Sequence, residues 1–127
     1  MALAANPMSA GGIRPGPVVL ICKAASDVPS AQRDAVCAAL AEELATSDPD
    51  RRIQLGGATP EGAAQMALNV TGADPQELSA TLDWQDGMAR GSSPPLSLTA
   101  MDKPLSPEMY APLIEALLQQ SGWNHRP

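Results

Sequence analysis

Apolar and polar residues take turns with a period of two over two adjacent stretches of this chain. From Ala64 to Thr71, Ala64, Met66, Leu68 and Val70 point one way while Gln65 and Asn69 point the other. From Glu77 to Trp84, Leu78, Ala80, Leu82 and Trp84 oppose Ser79, Thr81 and Asp83. Such alternation marks strands with one face on a core, and the residues between, Gly72-Ala73-Asp74-Pro75-Gln76, are turn formers, so the pair predicts a β-hairpin. A further run, Pro95 to Asp102, sets Leu96, Leu98 and Ala100 on one face. Pro17 to Lys23 differs: Val18, Leu20 and Cys22 are apolar on one side and Val19 and Ile21 on the other, which predicts a strand in the middle of a sheet. Arg51 to Leu55 predicts another strand, with Ile53 and Leu55 inward. The Gly- and Pro-rich segment from Gln85 to Pro95 predicts a loop.

Helical spacing occurs twice. Val36, Cys37, Leu40, Ala41 and Leu44 form one stripe, which predicts a helix over about 31–46. Ser30 is the expected N-cap, and Ser47-Asp48-Pro49-Asp50 the stop. Near the other end, Ser106-Pro107-Glu108 reads as a helix start. Pro112 would cost a helix interior roughly 3 kcal/mol, so the spacing predicts a separate turn and then a helix from about Ala111. Leu113, Ile114, Leu117 and Leu118 are its core face and Gly122 its stop. The order β-α-β-β-β-β-α predicts an α+β two-layer sandwich, a mainly antiparallel sheet with two helices on one face. Residues 1–16 are expected to be a flexible tail, 17–122 a single domain, and 123–127 a second tail.

Composition narrows the chemistry. A chain of 127 residues is one domain by length. There is no Phe, one Tyr and two Trp, so an aliphatic core is required. A formal net charge of −6, with the basic residues scattered, argues against nucleic acid and against anionic membrane surfaces. No apolar run approaches the ~20 residues needed to span a bilayer.

Cys22 and Cys37 offer two readings, a pair of buried thiols or one disulfide. Cys22 ends the first strand beside Leu20 in the apolar alternation, and Cys37 lies in the stripe of the following helix, which brings such positions into range of each other. Closing this loop would add roughly 3 kcal/mol. Disulfides persist in oxidising compartments, and Ala2-Leu3-Ala4 matches the small-x-small end of a secretory leader, though the leader's charged and apolar parts are missing. A periplasmic or secreted location is therefore favoured over a cytoplasmic one with free thiols.

Candidate chemistry is sparse. A single His, His125, lies near the end of the chain, so nucleophilic triads have poor material. Metal ligands at zinc spacing are missing, and no cofactor is implied. Gly56-Gly57 and Gly87 to Gly91 match no phosphate-binding motif. Asn69-Val70-Thr71 has the form of an N-glycosylation triplet, expected within a strand. Trp84 and Trp123 are either core plugs or anchors for a partner. An enzyme would have to use carboxylates at strand ends, Asp83, Asp86 and Asp102. The leading expectation is a non-enzymatic accessory or protein-binding domain, acting through the sheet face opposite the helices. That face is read from Val19, Ile21, Asn69, Thr81 and Thr99, with residues 1–16 an alternative cover for it. The partner is an unidentified protein or a second copy of the chain.

Overall fold

β1 (Val18–Ala24) is apolar on both faces and lies between two parallel neighbours, β2 (Ile53–Leu55) and β3 (Ala64–Asp74). The structure, a computed structural model, describes residues 16–123. α1 (Ser30–Ser47) makes the crossover from β1 to β2. β3 turns back as β4 (Glu77–Asp86), which is followed by β5 (Ala89–Ser92), β6 (Leu96–Thr99), a 3-10 turn at Pro107–Met109 and α2 (Ala111–Ser121). The sheet has six strands in the order β2-β1-β3-β4-β5, with β6 also paired to β4. Its pairings at β4 are all antiparallel, and the two-layer α+β arrangement stands.

The predicted hairpin is β3–β4. Leu68 faces Leu82 and Met66 faces Trp84 across it, and all but Trp84, at 6% exposure, are completely buried. Pro75 and Gln76 form its turn; the Asp74 carboxylate accepts the amides of Gln76 and Glu77 at 2.9 and 2.8 Å, which is why Asp stands there. Both helices cover the same side of the sheet. Val36, Leu40 and Leu44 of α1 and Leu113, Ile114, Leu117 and Leu118 of α2 join one core with Leu20, Met66, Leu68, Leu78 and Leu82.

Several local expectations are corrected. Ser30 lies inside α1; Pro29 holds the flanking position, extended at φ −60° and ψ 142°, and no side chain caps the helix. Its carbonyl instead accepts the amides of Gln32 and Arg33. The segment Gln85 to Pro95 is not all loop. Gly87, at φ 64°, opens a two-residue turn that pairs Asp86 with Ala89 and creates β5. Pro94 and Pro95 then have no N–H to give a ladder, so β5 ends and β6 resumes the edge. At the break the Ser93 amide donates to the Leu82 carbonyl, and the Ser93 hydroxyl accepts the Leu82 amide at 2.9 Å. Leu55, expected inward, is 64% exposed because β2 is a short edge strand.

The domain also extends past the expected limits. The Gly16 carbonyl accepts a hydrogen bond from Arg51 Nε at 2.9 Å. Trp123, assigned to a tail, is 1% exposed and packs edge-on to Trp84 at 5.2 Å between ring centroids. Residues 1–15 and 124–127, with the leader-like start and His125, lie outside the described residues. Pro107 and Pro112 fall as expected, in the separate turn and the first turn of α2, and Gly122 ends that helix at φ 83°.

Candidate functional site

The sheet positions that point away from the helices form the candidate site. On β3 and β4 these are Gln65, Ala67 and Asn69 opposite Gln85, Asp83 and Thr81. β1 contributes Val19 and Ile21, whose register partners on β3 are Gln65 and Ala67. β5 contributes Arg90 and Ser92, β6 Ser97 and Thr99. Asn69 and Thr99 are exposed and Thr81 is half-buried. The Ser79 and Ser97 hydroxyls join across β4 and β6 at 2.8 Å.

Val19 is not available on this face, contrary to expectation. It is fully buried yet does not belong to the core under the helices. Gln54 and Gln65 flank it on β2 and β3 and explain how it is closed off. Gln54 Nε2 donates to the carbonyls of Gly56 and Ala58, both at 2.9 Å. Gln65 Nε2 reaches the Thr59 hydroxyl at 2.7 Å. Residues 56–59 are thereby strapped across the start of β1. The apolar centre that remains is Ile21 with Ala67, both half-buried.

Around that centre lies an open groove of about 260 Å³, with Ile21 and Ala67 in its floor and Asp83, Gln85, Arg90 and Ser92 along one side. Asp83 and Arg90 are exposed, and among the described residues neither makes an ion pair or a side-chain hydrogen bond. Arg90 and Ser92 entered the site because β5 exists. Their signal was in the sequence: a Gly followed by one residue between strand-like flanks is hairpin chemistry.

The three carboxylates of the enzyme reading do not converge. Asp86 Oδ2 binds Arg51 Nη1 at 2.8 Å, where the Arg51 side chain is 3% exposed, so its role is to hold the end of the sheet. Asp83 stands alone beside the groove. Asp102 follows β6, whose last residue Thr99 pairs with Glu77 at the opposite end of β4. That puts Asp102 about 20 Å from Asp83 by strand rise, beyond the reach of a shared acid–base reaction. The Glu108 carboxyl lies below its ordinary range, because a backbone amide and then the Ser106 hydroxyl hydrogen-bond its charged form; it belongs to the helix layer. No group of three or more potential metal ligands is found among the described residues.

Trp84 and Trp123 act as core plugs. Trp84 Nε1 donates to the Ser121 carbonyl at 2.9 Å, and Arg51 stacks over Trp123 with its guanidinium 5.7 Å from the ring centroid. Cys22 and Cys37 form a disulfide with Cα atoms 6.0 Å apart, tying β1 to α1. Beside it a cleft of about 460 Å³ runs between α1 and the β2 edge, with Leu20, Ala38 and Leu55 in its walls.

No protein-family model matches the chain, and no curated protein matches it. Its fold is similar to that of the PelC dodecamer from Paraburkholderia phytofirmans, with a TM-score of 0.61 at 15% identity over 85% of this chain and 90% of that one. Weaker likenesses are to an uncharacterized protein, with a TM-score of 0.47 at 14% identity over 87% and 89% of the two chains, and to VC0702 from Vibrio cholerae, 0.36 at 19% over 85% and 75%. The first of these is a likeness of fold. The Cys22–Cys37 bridge is a bond that persists in oxidising compartments, and no helix among the described residues is long and apolar enough to cross a membrane.

Proposed function

We propose that this chain is a non-enzymatic, exported binding domain that presents its helix-free sheet face to another protein. The groove over Ile21 and Ala67 carries the reading: an apolar floor open to solvent, edged by an acid and a base that no described residue engages. Apolar surface rimmed by polar groups is the anatomy of a protein contact. Scattered carboxylates, one of them spent on Arg51, support binding over acid–base catalysis. The Cys22–Cys37 bridge supports export, since a reducing cytosol would open it. The PelC fold, seen as a dodecamer, supports a role within an assembly.

The test is affinity capture from the native host with the full chain and with Ile21→Arg and Thr81→Arg. A specific partner retained by the parent and lost by both variants, with the melting temperature of Thr81→Arg unchanged, is the expected result. Partners that bind all three chains equally would refute the assignment of this face. Hydrolytic or transferase activity abolished by Asp83→Asn would overturn the non-enzymatic reading.

A further inference from the structure

We infer that the occupant of the helix-free face is a second copy of this chain, seated face to face about a two-fold axis. This rests on reading that face as a binding surface and names its partner. Charge carries the inference. Asp83 and Arg90 project from adjoining strands at diagonal positions, since Asp83 registers with Ser92 and Gln85 with Arg90. Within the chain, no described residue pairs with either. A two-fold contact apposes one patch to itself. An acid and a base set side by side then meet their opposites: Asp83 of each copy faces Arg90 of the other, and the patch is self-complementary in charge.

Apolar area agrees with this arrangement. Ile21 and Ala67 lie on β1 and β3, beside the two strands that carry the charges, and a face-to-face contact centred on Asp83 and Arg90 reaches over them. The sheet offers enough surface. Five strands side by side, four spacings apart, give a width of about 19 Å, and the strands run from 3 residues at β2 to 11 at β3, about 36 Å. The face is therefore on the order of 600 Å² per copy, the low end of what each partner contributes to an interface of standard size. Edge-to-edge association is the competing geometry. Met88 at 99% exposure and Leu55 at 64% stand at opposite edges of the sheet, and a contact between them is heterologous, giving rings or filaments. On the open face an acid and a base that pair with no described residue stand next to each other, which fixes register.

Sedimentation velocity of the full chain over micromolar to near-millimolar concentration tests the inference, using the parent, Asp83→Arg, Arg90→Asp and an equimolar mixture of the two variants. The parent should be a dimer. Each variant alone should dissociate roughly tenfold or more readily, because like charges now meet twice across the axis. The mixture should recover the dimer, since one copy is then basic at both positions and the other acidic at both. Near-UV circular dichroism checks that these exposed substitutions leave the fold intact. A monomeric parent, variants as dimeric as the parent, a mixture that stays monomeric, or larger species unaffected by either substitution would each overturn the inference. A monomeric parent whose host partner is still lost with Ile21→Arg would remove only the second copy and leave the binding face in place; loss of neither would bring down both.

Discussion

Replacing Arg51 with Ala removes the buried tie at the end of the sheet, and the cost can be worked from its contacts. The side chain is 3% exposed, and it serves three groups: the Gly16 carbonyl, the Asp86 carboxylate and the Trp123 ring. A carbonyl left without its donor costs about 1 kcal/mol. Breaking a fully buried ion pair costs about 3–5 kcal/mol, but the Asp86 side chain is 29% exposed and recovers water, so about 1 kcal/mol is the better figure. Loss of the cation over the indole adds roughly 0.5–1 kcal/mol, and loss of the packed aliphatic stem about 1 kcal/mol. The total is about 3–4 kcal/mol, a large part of the stability of a small domain. Urea unfolding followed by tryptophan fluorescence reads it directly, because Trp84 and Trp123 both belong to this corner. Asp86→Asn keeps an acceptor for Arg51 and should cost about 1 kcal/mol, while Arg51→Lys keeps the charge but not the forked geometry and should fall between. If Arg51→Ala costs less than about 1 kcal/mol with an unchanged m-value, the tie is not what closes this end of the sheet.

Gly91 faces the Trp84 indole and the Ser121 carbonyl so closely that an added Cβ would lie 2.5 Å from Trp84 Nε1. Gly91→Ala should therefore cost about 2–3 kcal/mol by overpacking and shift the tryptophan emission; unfolding at the parent's midpoint would refute the contact. Opening Cys22–Cys37, by a thiol reductant or by the double substitution Cys22→Ala/Cys37→Ala, should lower stability by about 3 kcal/mol. Non-reducing mass spectrometry of the chain from its own host should show about 2 Da less than the reduced mass, and free thiols there would contradict export.

What could be read in advance followed the strength of each periodic signal. β3 and β4 alternate cleanly, so their hairpin and the inward set of Leu68, Leu78 and Leu82 were legible. The places of Pro107, in the separate turn, and Pro112, in the first turn of α2, were legible because proline's missing N–H acts locally. β5 was hidden because its alternation is too weakly apolar to register: the inward positions of Ala89-Arg90-Gly91-Ser92 are Ala89 and Gly91, the second kept small by the Trp84–Ser121 hydrogen bond. Trp123 and Arg51 were hidden for a different reason. A Trp past a helix stop and an Arg in a basic pair look like surface by local rules, and they are buried through contacts far away in sequence, with Trp84, Asp86 and each other. The groove was half legible: Ile21 marked its centre, but Arg90 could not be placed without β5.

Why one sheet face stays bare follows from where the apolar demand lies. Parallel neighbours β1 and β2 require a crossover, and α1 supplies it on one side of the sheet. α2 has one apolar stripe to bury, and the inner residues of β4 beyond the reach of α1 provide the place. The helices are then used up. The opposite face can stay in water only if its residues are polar, and Gln65, Asn69, Thr81, Asp83 and Gln85 meet that condition. β1 breaks it twice, at Val19 and Ile21. A segment built for a single-sided sheet has no use for a second apolar face, and the chain covers the first residue with the strap at 56–59 but leaves the second in a groove edged on one side by an acid and a base. If solubility alone had shaped this face, Ile21→Thr should be neutral for both stability and association. A contact surface requires instead that the substitution weaken association while costing stability no more than about 1 kcal/mol, and concentration-dependent sedimentation beside urea unfolding separates the two.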